Sequence, residues 1–283
     1  MNHILAAVLS NLSYALADNG NGLAAKKNSS LKVAVWAVIY GIAIFFIPMI
    51  LFFGHEIARL NLANILWILG TGSILALGYL CFVTAMSKGS VTLTGVIGGS
   101  FPAVTTLTAL LFFGERVTAS QAFAIAVIFI GVALSSLEGS IKTLDRDIKS
   151  LSLLYALGAF FLWGIYFAVV RIPVERVGWF LPQYGSSIIG LPIFLLIAKY
   201  SGQKNVLRQP KLPALIAVVS ILQISGSMFF NYAITQGDTA IVAPIAGSSP
   251  AVFVILAYFV FKERIKPIQT VGIVAAVAGI VGL

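Results

Sequence analysis

Long apolar stretches separated by short polar breaks run the length of the chain. Ten such stretches stand out, at 4–24, 33–53, 63–86, 91–113, 119–137, 152–171, 179–198, 212–235, 240–261 and 267–282. Each approaches the roughly 20 residues that a helix needs to cross the hydrocarbon core of a bilayer. Each is therefore predicted to be a membrane-spanning helix. Most loops between them hold only a few residues. The longest, 138–151, carries Glu138, Lys142, Asp145, Arg146, Asp147 and Lys149 and leaves five segments on either side. The expected fold is an all-α integral membrane protein of ten transmembrane helices. A first five-helix unit covers 1–137, the connecting loop 138–151 and a second five-helix unit 152–283.

The two units repeat. Shifting the sequence by 148 aligns 85–131 with 233–279 without a gap, and 15 of 47 positions are identical. The matches include Gly99-Ser100 with Gly247-Ser248, Pro102-Ala103-Val104 with Pro250-Ala251-Val252, Glu115-Arg116 with Glu263-Arg264, and Gln121 with Gln269. Apolar composition inflates matches between aliphatic residues, but it does not readily put Pro, Glu-Arg and Gln in register. Five spans per unit is an odd number, so the second copy enters the membrane from the opposite side. Inverted repeats are a recurrent plan of secondary transporters, with the substrate site near the midplane between the copies.

Composition and charge narrow the picture. Of the 283 residues, 59% are hydrophobic and 10% charged, whereas soluble domains carry about 25% charge. A soluble globular protein and a disordered chain are both excluded. The net charge of +9 would suggest nucleic acid in a soluble protein, but here its distribution has another cause. Loops on the side bearing the N-terminus hold Arg59, Arg116, Arg171 and Arg176, and the other 14 of the 18 basic residues fall on the opposite side. By the positive-inside rule the lysine-rich side faces the cytoplasm of a multi-pass cytoplasmic (inner) membrane protein and both termini are non-cytoplasmic. The lipid bilayer, not nucleic acid, is the expected macroscopic partner. Met1-Asn2-His3 lacks the basic start and cleavage site of a signal peptide, so the first apolar segment is expected to be retained.

Catalytic and metal chemistry are poorly represented. Cys81 is the only cysteine and His3 and His55 are far apart, so neither a disulfide nor a metal site is expected. The sequence has no phosphate-binding glycine loop with lysine, no His-Glu-x-x-His and no nucleophile elbow. No cofactor is expected, and the protein is not expected to be an enzyme.

The repeated element is a kinked, small-residue helix followed by Phe-x-Glu-Arg. It reads Gly98-Gly99-Ser100-Phe101-Pro102-Ala103-Val104 to Phe113-Gly114-Glu115-Arg116, and again Ala246-Gly247-Ser248-Ser249-Pro250-Ala251-Val252 to Phe261-Lys262-Glu263-Arg264. With ten spans and the Trp163-Gly164 pair opening the second half, the whole chain resembles the drug/metabolite transporter superfamily, EamA type. Among characterised members it is similar to amino-acid exporters of the YddG type. The resemblance implies alternating access through a central cavity, driven by a gradient and without ATP. One departure is Tyr14-Ala15, where the family usually carries a Trp-Gly pair in the first span.

Several polar or kinking residues interrupt the spans. Asp18-Asn19-Gly20-Asn21-Gly22 disfavours continuous apolar helix, and an ionised Asp at bilayer depth costs about 2.5–3.5 kcal/mol. Two readings are open: a discontinuous span whose carboxylate binds a proton, a cation or a substrate ammonium, or a turn after a span ending at Ala17. Pro102 and Pro250, beside Gly99 and Gly247, are expected to bend their spans, either as packing or as gates. Tyr14, Tyr79, Tyr232, Trp163 and Tyr166 form an aromatic wall or ordinary core. Asn11, Gln223, Ser227, Asn231 and Ser248 are further candidate substrate contacts. Gln223, Ser227 and Asn231 follow i, i+4, i+8, a polar stripe that must face inward, towards other helices or a cavity. The Glu115-Arg116 and Glu263-Arg264 pairs are expected to fix span ends.

The function these features point to is a secondary active transporter moving a small-molecule substrate, in the first place an amino acid, by export across the cytoplasmic membrane. A small organic cation such as a choline-like amine is the rival substrate, and a passive channel the rival class. A coupling proton is a candidate partner, and the chain is a monomer or a homodimer.

Overall fold

Polar caps start the early helices. Asn2 accepts from the Ile4 amide at 2.6 Å, Ser29 from Lys32 at 3.4 Å and Asn61 from Asn64 at 2.9 Å, each satisfying an amide that has no partner inside its helix. The computed structural model describes residues 1–89, 91–135, 151–203, 205–249, 251–252, 255–256 and 266–283. Among them the helices are α1 His3–Lys27, α2 Ser30–Phe52, α3 Gly54–Ile57, α4 Leu62–Lys88, α5 Val91–Gly99, α6 Pro102–Phe112, α7 Ala119–Ser135, α8 Leu151–Val169, α9 Arg171–Val177, α10 Leu181–Tyr200, α11 Pro213–Ile234, α12 Thr239–Ala246 and α13 Pro267–Val281. Five described stretches are long and apolar enough to cross a membrane: Ser30–Phe52, Leu62–Lys88, Leu151–Val177, Leu181–Tyr200 and Pro213–Ile234.

The exterior is apolar and much of the interior polar. Phe46, Ile47, Leu51 and Phe52 of α2, Leu111 and Phe112 of α6 and Phe123 of α7 are exposed, while Asn11, Asp18, Asn19, Asn21, Gln183 and Asn231 are buried. Water would penalise that arrangement; lipid favours it, because an unpaired amide facing hydrocarbon costs several kcal/mol. Around this interior α1 packs on α11 and α12, α4 on α8 and α10, and α2 on α10 and α11.

The first span corrects the sequence reading. α1 runs unbroken through Asp18-Asn19-Gly20-Asn21-Gly22, with neither a discontinuity nor a turn. Its polar groups are accommodated individually. Asn19 Nδ2 donates to the carbonyl of Ala15 at 2.8 Å, and Asn21 Oδ1 accepts from the Tyr79 hydroxyl at 2.8 Å. At Gly20 the side chain of Val219 occupies the space that a Cβ would need.

The predicted bend at Pro102 is present. α5 ends in two tight turns, from Ser100 N to Ile97 O at 3.2 Å and from Phe101 N to Gly98 O at 3.2 Å. Pro102 then begins α6 at a position that needs no amide donor. Its ring lies against Gly247, just past α12, so closely that no side chain fits there. Asn11 Nδ2 donates to the carbonyl of Ile245 at 2.8 Å and to the Ser248 hydroxyl. The end of α12 is thereby satisfied by a residue of α1. Pro250, Glu263 and Arg264 lie outside the described residues.

α7 and α13 are held by backbone proximity. A Cβ at Gly272 would collide with the Ser135 amide and lie 2.6 Å from the Gly131 carbonyl; one at Gly279 would lie 2.8 Å from the Ala124 carbonyl. Small residues permitting such approach are the usual means of helix association in lipid. Gly272→Leu is expected to force the pair apart and to destabilise the protein by roughly 1–3 kcal/mol, the usual range for overpacking. Thermal unfolding in detergent checks this: an unchanged melting temperature would mean that the close approach contributes nothing.

Candidate functional site

Polar residues from α1, α4, α8, α10 and α11 converge just past the middle of α1. Two cavities that share Leu75, Trp163, Gln223 and Ser227 in their walls lie there. One of about 60 Å³ is lined by Tyr79, Trp163, Gln183, Ser186, Ser187, Ser220, Gln223 and Ser227 with apolar neighbours. The other, about 20 Å³, is lined by Tyr14, Asp18, Gly99, Phe101, Trp163, Phe167, Gln223, Ser227 and Ser249 among others. At about 10–15 Å³ per water, the larger has room for a small solute or a few waters.

Asp18 is 8% exposed. Among the described residues no donor bonds its carboxylate, which opens into the smaller cavity beside four aromatic side chains. Phe101 and Phe167 stack at 4.4 Å, Tyr14 meets Phe167 edge-on at 6.0 Å and Phe101 meets Trp163 edge-on at 6.2 Å. Asn21 Nδ2 faces Gln223 Oε1 at 3.5 Å, and the hydroxyls of Tyr14 and Ser227 lie 2.9 Å apart. Neither cavity has a Lys, Arg or His in its described lining. A desolvated carboxylate with no cation beside it calls for a counter-charge from outside, either a proton or an ammonium. Aromatic faces around it add attraction for a cation.

The structure places the sequence candidates differently. Tyr14, Asp18, Tyr79, Trp163, Gln223, Ser227 and Gly99 line the two cavities. Asn11 and Ser248 instead bond each other at the end of α12. Asn231 donates to the Trp179 carbonyl at 3.1 Å, so the α11 stripe divides into two cavity residues and one tie between segments. Tyr166 is fully buried in the core and donates to Gln183 Oε1 at 3.0 Å. Tyr232 sits at the N-terminus, bonded to Met1 and edge-on to Trp179. Gln183, Ser186 and Ser187 went unread, although their i, i+3, i+4 spacing on α10 is the same signal that exposed the α11 stripe.

At the face bearing the N-terminus, two glutamates with buried side chains join the halves of the chain. Glu115 does not pair with Arg116: its carboxylate accepts from the amides of Thr239 at 3.1 Å and Ala240 at 2.7 Å, and holds Arg171. Glu56 accepts from the amides of Leu181 at 2.6 Å and Phe180 at 3.4 Å. Each thus seats the positive N-terminal end of a helix from the other half of the chain, α12 and α10. Burial pushes the Glu56 carboxyl above the usual glutamate range, against the pull of those two amides. Phe53 stacks on Phe180 at 4.2 Å and meets Trp179 edge-on at 4.7 Å, closing the apolar layer beneath.

An apolar outside, several bilayer-length helices and desolvated polar groups inside define a multi-pass membrane protein with polar-lined cavities between its helices. The particular family follows from sequence: the EamA-like transporter family matches residues 1–137 and again 150–283, and the chain belongs to it. It is accordingly a membrane transporter of small molecules, from a family that is generally non-enzymatic. Over 97 residues, 34% of this chain and 69% of the relative, it is 32% identical to uncharacterized protein MJ1333.1 of Methanocaldococcus jannaschii. A solved crystal structure superposes with a TM-score of 0.67 at 16% identity, covering 99% of this chain and 94% of its own, which is a likeness of fold.

Proposed function

We propose that the protein is a secondary active carrier that moves a small ammonium-bearing metabolite, in the first place an amino acid, out of the cell. The observation that carries the reading is Asp18, a carboxylate with no described bond in an aromatic-lined cavity without basic residues. The ammonium of the solute replaces the water that the carboxylate has lost. Gln223, Ser227 and Ser187 supply neutral partners for the rest of it. A small organic cation is the second reading, favoured by the same lack of a basic group for a substrate carboxylate.

Ten spans in two inverted repeats, at 1–137 and 152–283, are the architecture of this carrier. The separate family matches to the two halves support it, as does the packing of Pro102 of the first repeated element on Gly247 of the second. Rocking of the halves about that contact opens the cavity to each face in turn. The state described here is closed at the N-terminal face by Glu115 and Glu56. A proton on Asp18 is the coupling ion that returns the empty carrier. The cytoplasmic membrane, with both termini outside, follows from the basic-residue bias. The resemblance to YddG-type exporters is consistent with this cargo, and the carrier works as a monomer or a homodimer.

Counterflow in proteoliposomes tests the reading. Vesicles preloaded with unlabelled amino acid are expected to accumulate labelled amino acid transiently, with saturation, and ethylamine-type amines are expected to compete. Uptake that rises linearly with concentration and shows no counterflow would make the protein a channel.

A further inference from the structure

A third and larger cavity opens on the N-terminal face, above the aromatic layer of Phe53, Trp179 and Phe180. It measures about 560 Å³. Unlike the central cavities, it carries both signs of charge: Arg59 and Arg171 against Glu175 and Asp238, with Trp179 as one wall. The charges are unequally engaged. Arg171 is held by Glu115 and by Glu175 at 2.5 Å. Arg59 is exposed; its guanidinium donates from Nη1 to the carbonyl of Val177 at 3.2 Å and attracts Glu56 without a described hydrogen bond to it. Asp238 precedes α12 and is exposed; its carboxylate makes no cap bond to the helix and lies within electrostatic reach of Arg171.

We propose that this vestibule is a recognition site for zwitterionic α-amino acids, distinct from the central cavity. The solute carboxylate pairs with Arg59 and its ammonium with Asp238, while Trp179 contacts its side chain. A planar guanidinium suits a carboxylate, which can accept two parallel bonds from it. An amine or a simple carboxylate satisfies only one of the two charges, so the vestibule selects for the zwitterion where Asp18 alone selects only for an ammonium. The inference refines the carrier reading and rests on it for the identity of the solute as cargo. It also gives Arg171 a second role: with this face outside and transport outward, the carboxylate of a departing solute lies next to the cation that holds Glu115 on α12.

The test uses a single reporter thiol in the full-length, reconstituted protein. Thr235 is exposed and lines the vestibule, so Thr235→Cys is made in a Cys81→Ala background and labelled with N-ethylmaleimide. Alanine is compared with ethylamine, which lacks the carboxylate, and with propionate, which lacks the amine. Alanine at twice its dissociation constant is expected to slow labelling about threefold by mass action, with far less effect from the other two. Arg59→Gln and Asp238→Asn, both at exposed positions, are each expected to remove the protection. Asp18→Asn is expected to leave it. Equal protection by all three compounds, protection by none, or persistence in both vestibule variants overturns the proposal. Loss of protection in Asp18→Asn also overturns it, because alanine would then be acting from the central cavity. Protection without transport refutes the carrier reading and leaves the site; transport without protection does the reverse.

Discussion

Transport by Asp18→Asn is expected to fall by at least about tenfold while the folded protein becomes no less stable. Asparagine keeps the shape of the side chain and removes the charge. A desolvated carboxylate–ammonium contact is worth 2–5 kcal/mol when one partner is truncated, and about 1.4 kcal/mol already corresponds to a factor of ten. The stability effect runs the other way. The carboxylate has no described partner in the fold, so its loss breaks no bond and removes the cost of a charge at bilayer depth, about 2.5–3.5 kcal/mol on insertion scales. The α1 helix already continues through residue 18 and has no reason to change. Counterflow and thermal unfolding of the same preparation separate the two effects. Undiminished counterflow would remove Asp18 from the mechanism, and a lower melting temperature would show that it holds the fold.

The second large effect belongs to Glu115. Its side chain is 4% exposed and that of its partner Arg171 24%, so the pair is only partly screened by solvent. Glu115→Ala removes the acceptor for two α12 amides and leaves the Arg171 guanidinium with Glu175 as its remaining ion-pair partner. Truncating one partner of a buried pair costs about 3–5 kcal/mol, and the partial exposure of Arg171 places the expected loss near the lower end, roughly 3 kcal/mol. Glu115→Gln keeps one acceptor oxygen for the amides and is expected to lose about half as much. The check is thermal or denaturant unfolding of Glu115→Ala, Arg171→Ala and the double variant. If Arg171 acts by holding Glu115 on α12, Arg171→Ala alone is destabilising but the double variant is no less stable than Glu115→Ala; fully additive losses would mean that the two residues do not act together.

Much of this was legible along the chain. Five of the apolar segments match described helices long and apolar enough to cross a bilayer, since crossing sets both length and composition. Pro102 announced its bend because a missing amide and a fixed φ act locally. Asp18 declared itself because charge in an apolar stretch is costly wherever the helix sits. Yet the same reasoning erred at Asp18 to Gly22. Propensity favours a break there, but Tyr79, Val219 and the Ala15 carbonyl accommodate the polar and small residues within an unbroken helix.

Partnership was not legible. Asn11 and Ser248 read as substrate contacts but bond each other across 237 positions of sequence. Glu115 read as the mate of Arg116 but seats the start of α12, 124 positions away. The sequence by itself determined that the chain carries segments apolar enough for lipid, that it bends at Pro102 and which residues are too polar to face hydrocarbon. Only the tertiary structure decided which of those polar groups satisfy one another and which, like Asp18, remain open to a cavity. The reason is physical: burial in lipid is a property of each segment alone, whereas a hydrogen bond depends on how two helices far apart in sequence cross.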